Sequence, residues 1–80
     1  MRVRVRLSQV LNPGRFPDHH HLRGMEVELP DDSQVKELLS LLEIKDKQGI
    51  IVSVNGVVKK WHDPIENGAF ADLHRPMAGG

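Results

Sequence analysis

A β-hairpin is encoded in the stretch Ile50-Ile51-Val52-Ser53-Val54-Asn55-Gly56-Val57. The β-branched, mostly apolar first half is typical of a strand in the interior of a sheet. Asn55 and Gly56 both tolerate a positive φ, which a tight turn between antiparallel strands requires. We therefore predict a central strand over residues 50–54, a two-residue turn, and a short returning strand over residues 57–61.

A second hairpin is predicted nearer the amino end. Apolar residues alternate with arginines over residues 2–7 and with glutamates over residues 25–29. This period of two gives each strand one apolar and one polar face, so arginines can meet glutamates across the polar face. The alternative is that these arginines, together with Arg15 and Arg23, bind phosphate groups. We prefer the pairing with glutamates. The connection, residues 8–24, is far longer than an ordinary hairpin loop, and we expect it to be partly mobile.

One amphipathic helix follows the second strand. Pro30 closes that strand, and the oxygens of Asp31, Asp32 and Ser33 suit the unpaired amides at a helix start, so we expect a helix that begins near Ser33. Its apolar stripe consists of Val35, Leu38, Leu39 and Leu42. The stripe predicts that the helix covers one face of the sheet.

The remaining signals complete the predicted fold. Asp63-Pro64 and Asn67-Gly68 indicate turns, and residues 69–74 form a last short strand. The order strand, strand, helix, strand, strand, strand predicts an α+β protein, a β-grasp roll with one main helix on a mixed sheet of four to five strands. We expect a domain over residues 1–74 and a flexible Gly-Gly tail over residues 75–80.

Composition narrows the function. The chain has 80 residues, which suits one small domain, and its 11 basic residues balance its 11 acidic ones, so we do not expect nucleic acid as the main partner. No apolar run approaches the length that spans a bilayer, so we expect no membrane association and a cytoplasmic location. The absence of cysteine excludes disulfides, thiolate metal sites and a cysteine persulfide on this chain.

The chain ends in Gly79 and Gly80. Glycine has no Cβ to hinder attack on its carbonyl carbon, and a Gly-Gly segment can thread a channel that side chains would block. The terminal carboxylate is therefore the candidate reactive group. The alternative is an ordinary mobile end without chemistry.

The stretch 51–56, the Asn67-Gly68 turn and the ending Pro76-Met77-Ala78-Gly79-Gly80 together resemble the ubiquitin-like sulfur carriers of the MoaD/ThiS family. In that family an E1-like enzyme uses ATP and Mg²⁺ to adenylate the terminal glycine, which sulfur then converts to a thiocarboxylate. The thiocarboxylate serves molybdopterin, tungstopterin or thiamine biosynthesis. The resemblance implies a protein co-substrate, monomeric when free, that binds no cofactor and is not itself an enzyme.

The resemblance also assigns residue roles. Gly80 would carry the adenylate and the thiocarboxylate, while Gly79, Ala78, Met77 and Pro76 would lie in the partner's channel. Phe70, His74 and Arg75 would form the surface that meets the E1-like enzyme and the sulfur-accepting synthase. The chain departs from the family at Asn67-Gly68-Ala69, where acidic residues are frequent, at Arg75, and in its long histidine-bearing loop.

Other functions remain open at this point. A ubiquitin-like protein-binding module without tail chemistry is the main alternative. His19, His20 and His21 could bind a metal with His62 or His74, although we favour a solvated loop and expect no metal site. Trp61 and Phe70 could form a docking patch or fill the core. We find no pattern that places a nucleophile beside a base.

Overall fold

The structure is a computed structural model that describes residues 1–8, 11, 13–44 and 49–75. Its elements are β1 (Arg2–Leu7), β2 (Met25–Glu28), α1 (Val35–Leu41), β3 (Ile51–Val54), β4 (Val57–Lys59) and β5 (Phe70–His74). A short 3₁₀ turn, Pro13–Arg15, lies in the connection between β1 and β2. The predicted order of strands and helix is confirmed.

The five strands form one mixed sheet in the order β2-β1-β5-β3-β4. β1 and β5 run parallel, with Arg6 opposite Asp72, and every other neighbouring pair is antiparallel. The predicted hairpins pair as expected, with Val5 opposite Met25 and Val54 opposite Val57. The last strand therefore lies in the middle of the sheet.

Helix α1 covers one face of the sheet and forms the core with it. The predicted stripe is confirmed, because Val35, Leu38 and Leu39 are fully buried and Leu42 is nearly so. The sheet contributes Val3, Val5, Val52, Ala71 and Leu73. The opposite side of the sheet, which carries Arg4, Arg6, Phe70, Asp72 and His74, is called the open face below.

The helix begins two residues later than predicted. Gln34 is the N-cap residue, and its backbone N–H donates to Glu37 Oε2 at 3.1 Å. Ser33 does not take that role, because its hydroxyl is buried and donates to the carbonyl oxygen of Pro30 at 2.6 Å. The helix therefore starts close to the predicted position, but Ser33 does not cap it.

Distant carbonyl groups satisfy the first amides of α1. The N–H of Val35 donates to the carbonyl of Asp63, and that of Lys36 to the carbonyl of Trp61, each at 3.0 Å. These bonds hold the segment after β4 against the start of the helix. Trp61 is half-buried against the core there, so for this residue the structure favours packing.

The second Asn-Gly turn anchors β1. Asn67 Oδ1 accepts the N–H of Arg2 at 2.8 Å, and the N–H of Gly68 donates to the carbonyl of Arg2 at 2.7 Å. Gly68 has φ +82, so the turn uses the conformational freedom of glycine. The turn therefore fixes where the first strand enters the sheet.

Strands β3 and β4 differ from prediction in detail. β3 lies between β5 and β4, as an interior strand should, but the open face leaves Ile51 and Ser53 partly exposed. β4 ends at Lys59, two residues earlier than predicted, and both Val57 and Val58 are more than half exposed. These side chains are exposed because the helix covers only one face of the sheet.

The arginines find several kinds of partner. Arg2 pairs with Glu28 at 3.0 Å, as predicted, and this hydrogen bond and charge raise the pKa of Arg2. Arg6 instead forms an ion pair with Asp72 on β5. Arg15 lies away from the other arginines and donates to the carbonyl of Leu42 at 2.7 Å, which neutralises an unpaired group after the helix.

Candidate functional site

The candidate site is the end of the sheet at which β5 finishes. Leu73 is buried and lies opposite Leu7 on β1 and Val52 on β3, and its carbonyl accepts the N–H of Ser8 at 3.1 Å. Two ladders thus hold β5 up to His74. The strand directs the chain to Arg75, which is partly exposed.

On the open face, β5 presents Phe70, Asp72 and His74 in alternation, all partly exposed. Asp72 accepts from the guanidinium of Arg6, and the Arg6 Cζ atom lies 5.9 Å from the centroid of the Phe70 ring. Arg6 is therefore engaged with both residues. An aromatic ring and an ion pair lie side by side along the central strand.

A groove of about 420 Å³ opens on this face beside the end of β5. It is called the histidine groove here, and it is lined by Arg6, Leu7, Ser8, His19, His21, Asp72 and His74. Within the described residues, no group of three His, Cys, Asp or Glu side chains is arranged to hold a metal ion. The lining of the groove combines the charged side chains of Arg6 and Asp72 with three imidazole rings.

The groove also lacks an obvious acid–base pair. His19 uses Nε2 to accept the N–H of Leu7 at 3.0 Å, so this nitrogen is not available to a nucleophile. Ser8 Oγ is shielded from solvent and has no hydrogen-bond partner among the described residues.

No family model and no curated protein sequence matches the chain. Solved structures do match. The chain is 18% identical to SAMP1 of Haloferax volcanii and 20% identical to the thiamine biosynthesis protein ThiS of Geobacter metallireducens, each with a TM-score of 0.68 and full coverage of both chains. It is also 20% identical, with a TM-score of 0.57 and full coverage, to a chain in the complex of subunits 1 and 2 of the molybdopterin-converting factor of Helicobacter pylori.

The chain has the ubiquitin-like β-grasp fold of MoaD and ThiS. The predicted fold class is confirmed, including the mixed sheet and the single main helix. No helix in the described part of this β-grasp chain has the length and apolar character needed to cross a bilayer.

The structure locates three of the predicted site residues of the β-grasp domain. Phe70 and His74 share the open face of β5, four residues apart, and Arg75 follows them directly. Their role as a partner surface stays a prediction. The tail residues Pro76, Met77, Ala78, Gly79 and Gly80 lie outside the described residues. The division into a domain over residues 1–74 and a tail over residues 75–80 stays a prediction.

Sequence reasoning missed two features of this site. The ion pair between Arg6 and Asp72 joins β1 to β5, and no local pattern shows which strand lies parallel to β1. The bond between Leu7 and His19 was also unforeseen. One signal was present. With Val5 opposite Met25, the N–H of Leu7 also points toward β2, but the ladder does not continue past Gly24, so this N–H needs another acceptor.

Proposed function

We propose that this chain is a sulfur carrier whose terminal Gly80 is adenylated by an E1-like enzyme and then converted to a thiocarboxylate. The observation that carries the proposal is the full-length β-grasp match to ThiS and to a molybdopterin-converting factor complex, in a chain that ends in Gly79 and Gly80. Both the body and the ending suit a carrier. The chain would act in the cytoplasm, as a monomer when free.

The chemistry needs an activated acyl group. A carboxylate oxygen of Gly80 attacks the α-phosphorus of ATP and displaces pyrophosphate, while Mg²⁺ on the partner neutralises the phosphate charge. Hydrosulfide, HS⁻, supplied by a separate sulfur donor, then attacks the glycyl carbonyl carbon and displaces AMP, and loss of the sulfur-bound proton leaves the thiocarboxylate. The sulfur must come from outside because the chain has no cysteine. Catalysis belongs to the partner, and the chain is a co-substrate.

The two solved structures suggest destinations for the sulfur. One is described as a thiamine biosynthesis protein, and the other as a complex of two subunits of a molybdopterin-converting factor. By analogy, this chain would deliver sulfur to a synthase that builds thiamine or a molybdenum or tungsten pterin. The complex supports the idea of a synthase partner that binds the carrier directly.

Docking would use the open face near the end of β5. Phe70 offers a partly exposed aromatic surface, and His74 and Arg75 lead from it toward the tail. Aromatic and arginine side chains often contribute most to binding energy at protein interfaces. Pro76, Met77 and Ala78 would then guide Gly79 and Gly80 into the active site of the partner.

Intact-mass spectrometry of the protein purified from its native host tests the proposal. A carrier shows a species about 16 Da heavier than the unmodified chain that ends at Gly80, because sulfur replaces oxygen. Deletion of Gly80 should remove this species and leave the melting temperature unchanged, since β5 ends at His74. Absence of the heavier species under conditions of active cofactor synthesis would favour a protein-binding module instead.

A further inference from the structure

The connection between β1 and β2 contains a segment that two histidines fasten through their unprotonated nitrogens. We call residues 18–24 the histidine arm. His19 Nε2 accepts the N–H of Leu7 at 3.0 Å, and His20 Nδ1 accepts the N–H groups of Leu22 and Arg23 at 3.1 and 3.2 Å. All three bonds need an imidazole nitrogen without a proton. Neutral His19 therefore attaches the arm to β1, and neutral His20 holds the turn within the arm.

His19 takes the position of a strand partner. The register of β1 and β2 would place Arg23 opposite Leu7, but the chain leaves the ladder at Gly24. The imidazole supplies the acceptor that a backbone carbonyl would otherwise provide. Protonation of His19 would direct an N–H toward the Leu7 N–H and break this bond.

The rest of the arm closes on itself and on β1. His20 and Gly24 exchange two backbone hydrogen bonds at 2.9 and 2.7 Å, and Arg4 donates to the carbonyl of Arg23 at 3.1 Å. Gly24 lies so close to β1 that an added Cβ would be 2.1 Å from the carbonyl oxygen of Val5. The arm is thus fixed at Gly24, and its histidines determine the position of its other residues.

The arm borders the open face on two sides. His19 and His21 line the histidine groove together with Asp72 and His74. A second groove, of about 440 Å³, is lined by Arg4, Asp18, His20, Leu22, Arg23, Gly24 and Phe70. The arm therefore lines these two grooves together with Phe70, Asp72 and His74 of β5.

We propose that the histidine arm is a protonation-sensitive cover of the open face. It lies against β1 and β5 when His19 and His20 are neutral, and it detaches when they are protonated. The response depends on backbone N–H groups, which cannot donate to an imidazole whose two nitrogens both carry a proton.

The charges around the arm determine the direction of the response. The titratable and charged groups that face it are Arg4 and Arg6 on β1, Glu26 on β2, Asp72 and His74 on β5, and Asp18, His21 and Arg23 on the arm itself. Loss of water around the ring lowers the pKa of His20, and the positive charges of Arg23, His21 and His19 lower it further.

The sign of the pH dependence follows from that direction. Because the pKa of His20 is lowered in the closed arm, closure is fully stable above the ordinary value of 6.5 and weakens as the pH falls through the lower value of the closed state. The bond that His19 accepts from Leu7 likewise requires a ring nitrogen without a proton. The arm should therefore be less firmly closed at pH 5.0 than at pH 7.5.

An effect on partner binding rests on the proposed function. If Phe70 and His74 meet the activating enzyme, the closed arm narrows access to them and the open arm enlarges the contact surface. Mildly acidic conditions would then favour docking. The arm itself can be tested on the free protein, without any partner and without activation of Gly80, so the two proposals can fail separately.

The test is an NMR titration of the protein from pH 7.5 to pH 5.0. We expect the protection factor of the Leu7 amide, corrected for the intrinsic pH dependence of exchange, to fall roughly tenfold. The {¹H}–¹⁵N NOE of residues 19–23 should fall in the same range, as the arm gains fast motion. A constant protection factor and NOE across the titration would overturn the proposal.

A double variant separates the two histidines from the other titrating groups. His19→Gln with His20→Asn keeps an acceptor near each position and removes the proton, so the arm should stay closed to pH 5.0. The matched control His62→Gln, which lies outside the arm, should titrate like the wild type. An equal response of the double variant and the wild type would assign the opening to other groups and contradict the proposal.

One further variant covers the case in which the double variant does not fold. His19→Ala removes the acceptor of Leu7, so its Leu7 protection should already be low at pH 7.5 and should change little on acidification. If the Leu7 amide of His19→Ala is as protected as that of the wild type, His19 does not hold the arm.

Discussion

Asn55 is joined to Phe70 by two hydrogen bonds. Its side-chain Oδ1 accepts the N–H of Phe70 at 2.9 Å, and its backbone N–H donates to the carbonyl of Phe70 at 2.8 Å. The pair extends the ladder of β3 and β5 by one residue beyond Val54 and Ala71. The turn that closes the hairpin of β3 and β4 therefore also sets the position of the central strand.

Substitution of Asn55 should separate the two contributions of this residue. Asn55 has φ +52, so Asn55→Ala loses the side-chain bond and strains the backbone, and we expect it to destabilise the fold by about 2 kcal/mol. Asn55→Gly loses only the bond and should cost about 1 kcal/mol. Asn55→Asp keeps an acceptor and should cost less than either. Urea unfolding measures all three, and equal losses for Ala and Asp would contradict the role of Oδ1.

Gly24 should be the glycine least tolerant of a side chain. An added Cβ would overlap the backbone of Val5, which cannot move aside, and φ is +69. We expect Gly24→Ala to destabilise the fold by more than about 2 kcal/mol. Gly56→Ala and Gly68→Ala are matched controls, since both have positive φ but no atom within 4 Å of the added Cβ. They should cost about 1 kcal/mol each, and a similar loss at all three positions would disprove the close approach.

Two leucines three residues apart test the orientation of the helix. Leu38 is fully buried, so Leu38→Ala should cost roughly 2 to 5 kcal/mol through lost burial and a cavity. Leu41 is 50% exposed, and Leu41→Ala should change stability by less than about 0.5 kcal/mol. The comparison uses thermal unfolding at fixed pH. A large loss at Leu41 would mean that a second surface covers the outer side of the helix.

The elements that could be predicted are those with local causes. The alternation over residues 2–7, the stripe that contains Leu38 and Leu39, and the Asn55-Gly56 turn each follow from side-chain direction or backbone freedom within a few residues. The fold class followed because few arrangements cover one sheet with one helix. Strand ends were less accurate, as β4 shows by ending at Lys59.

The features that could not be predicted depend on residues far apart in the chain. The first amides of α1 are satisfied by the carbonyls of Trp61 and Asp63, so the nearby Ser33 is used elsewhere. The site shows the same limit. The resemblance assigned Phe70 and His74 to a partner surface, which stays a prediction, whereas the attachment of His19 to Leu7 arises only when the loop returns to β1.

The parallel pairing of β1 and β5 has a mechanical consequence. Tension applied between Arg2 and His74 would act along both strands, across hydrogen bonds that lie nearly perpendicular to the pull. These bonds would be loaded in shear and would have to break together rather than one after another. We therefore expect the domain to resist stretching, and an ATP-driven unfoldase pulling on the carboxyl end would meet its strongest obstacle at the first step.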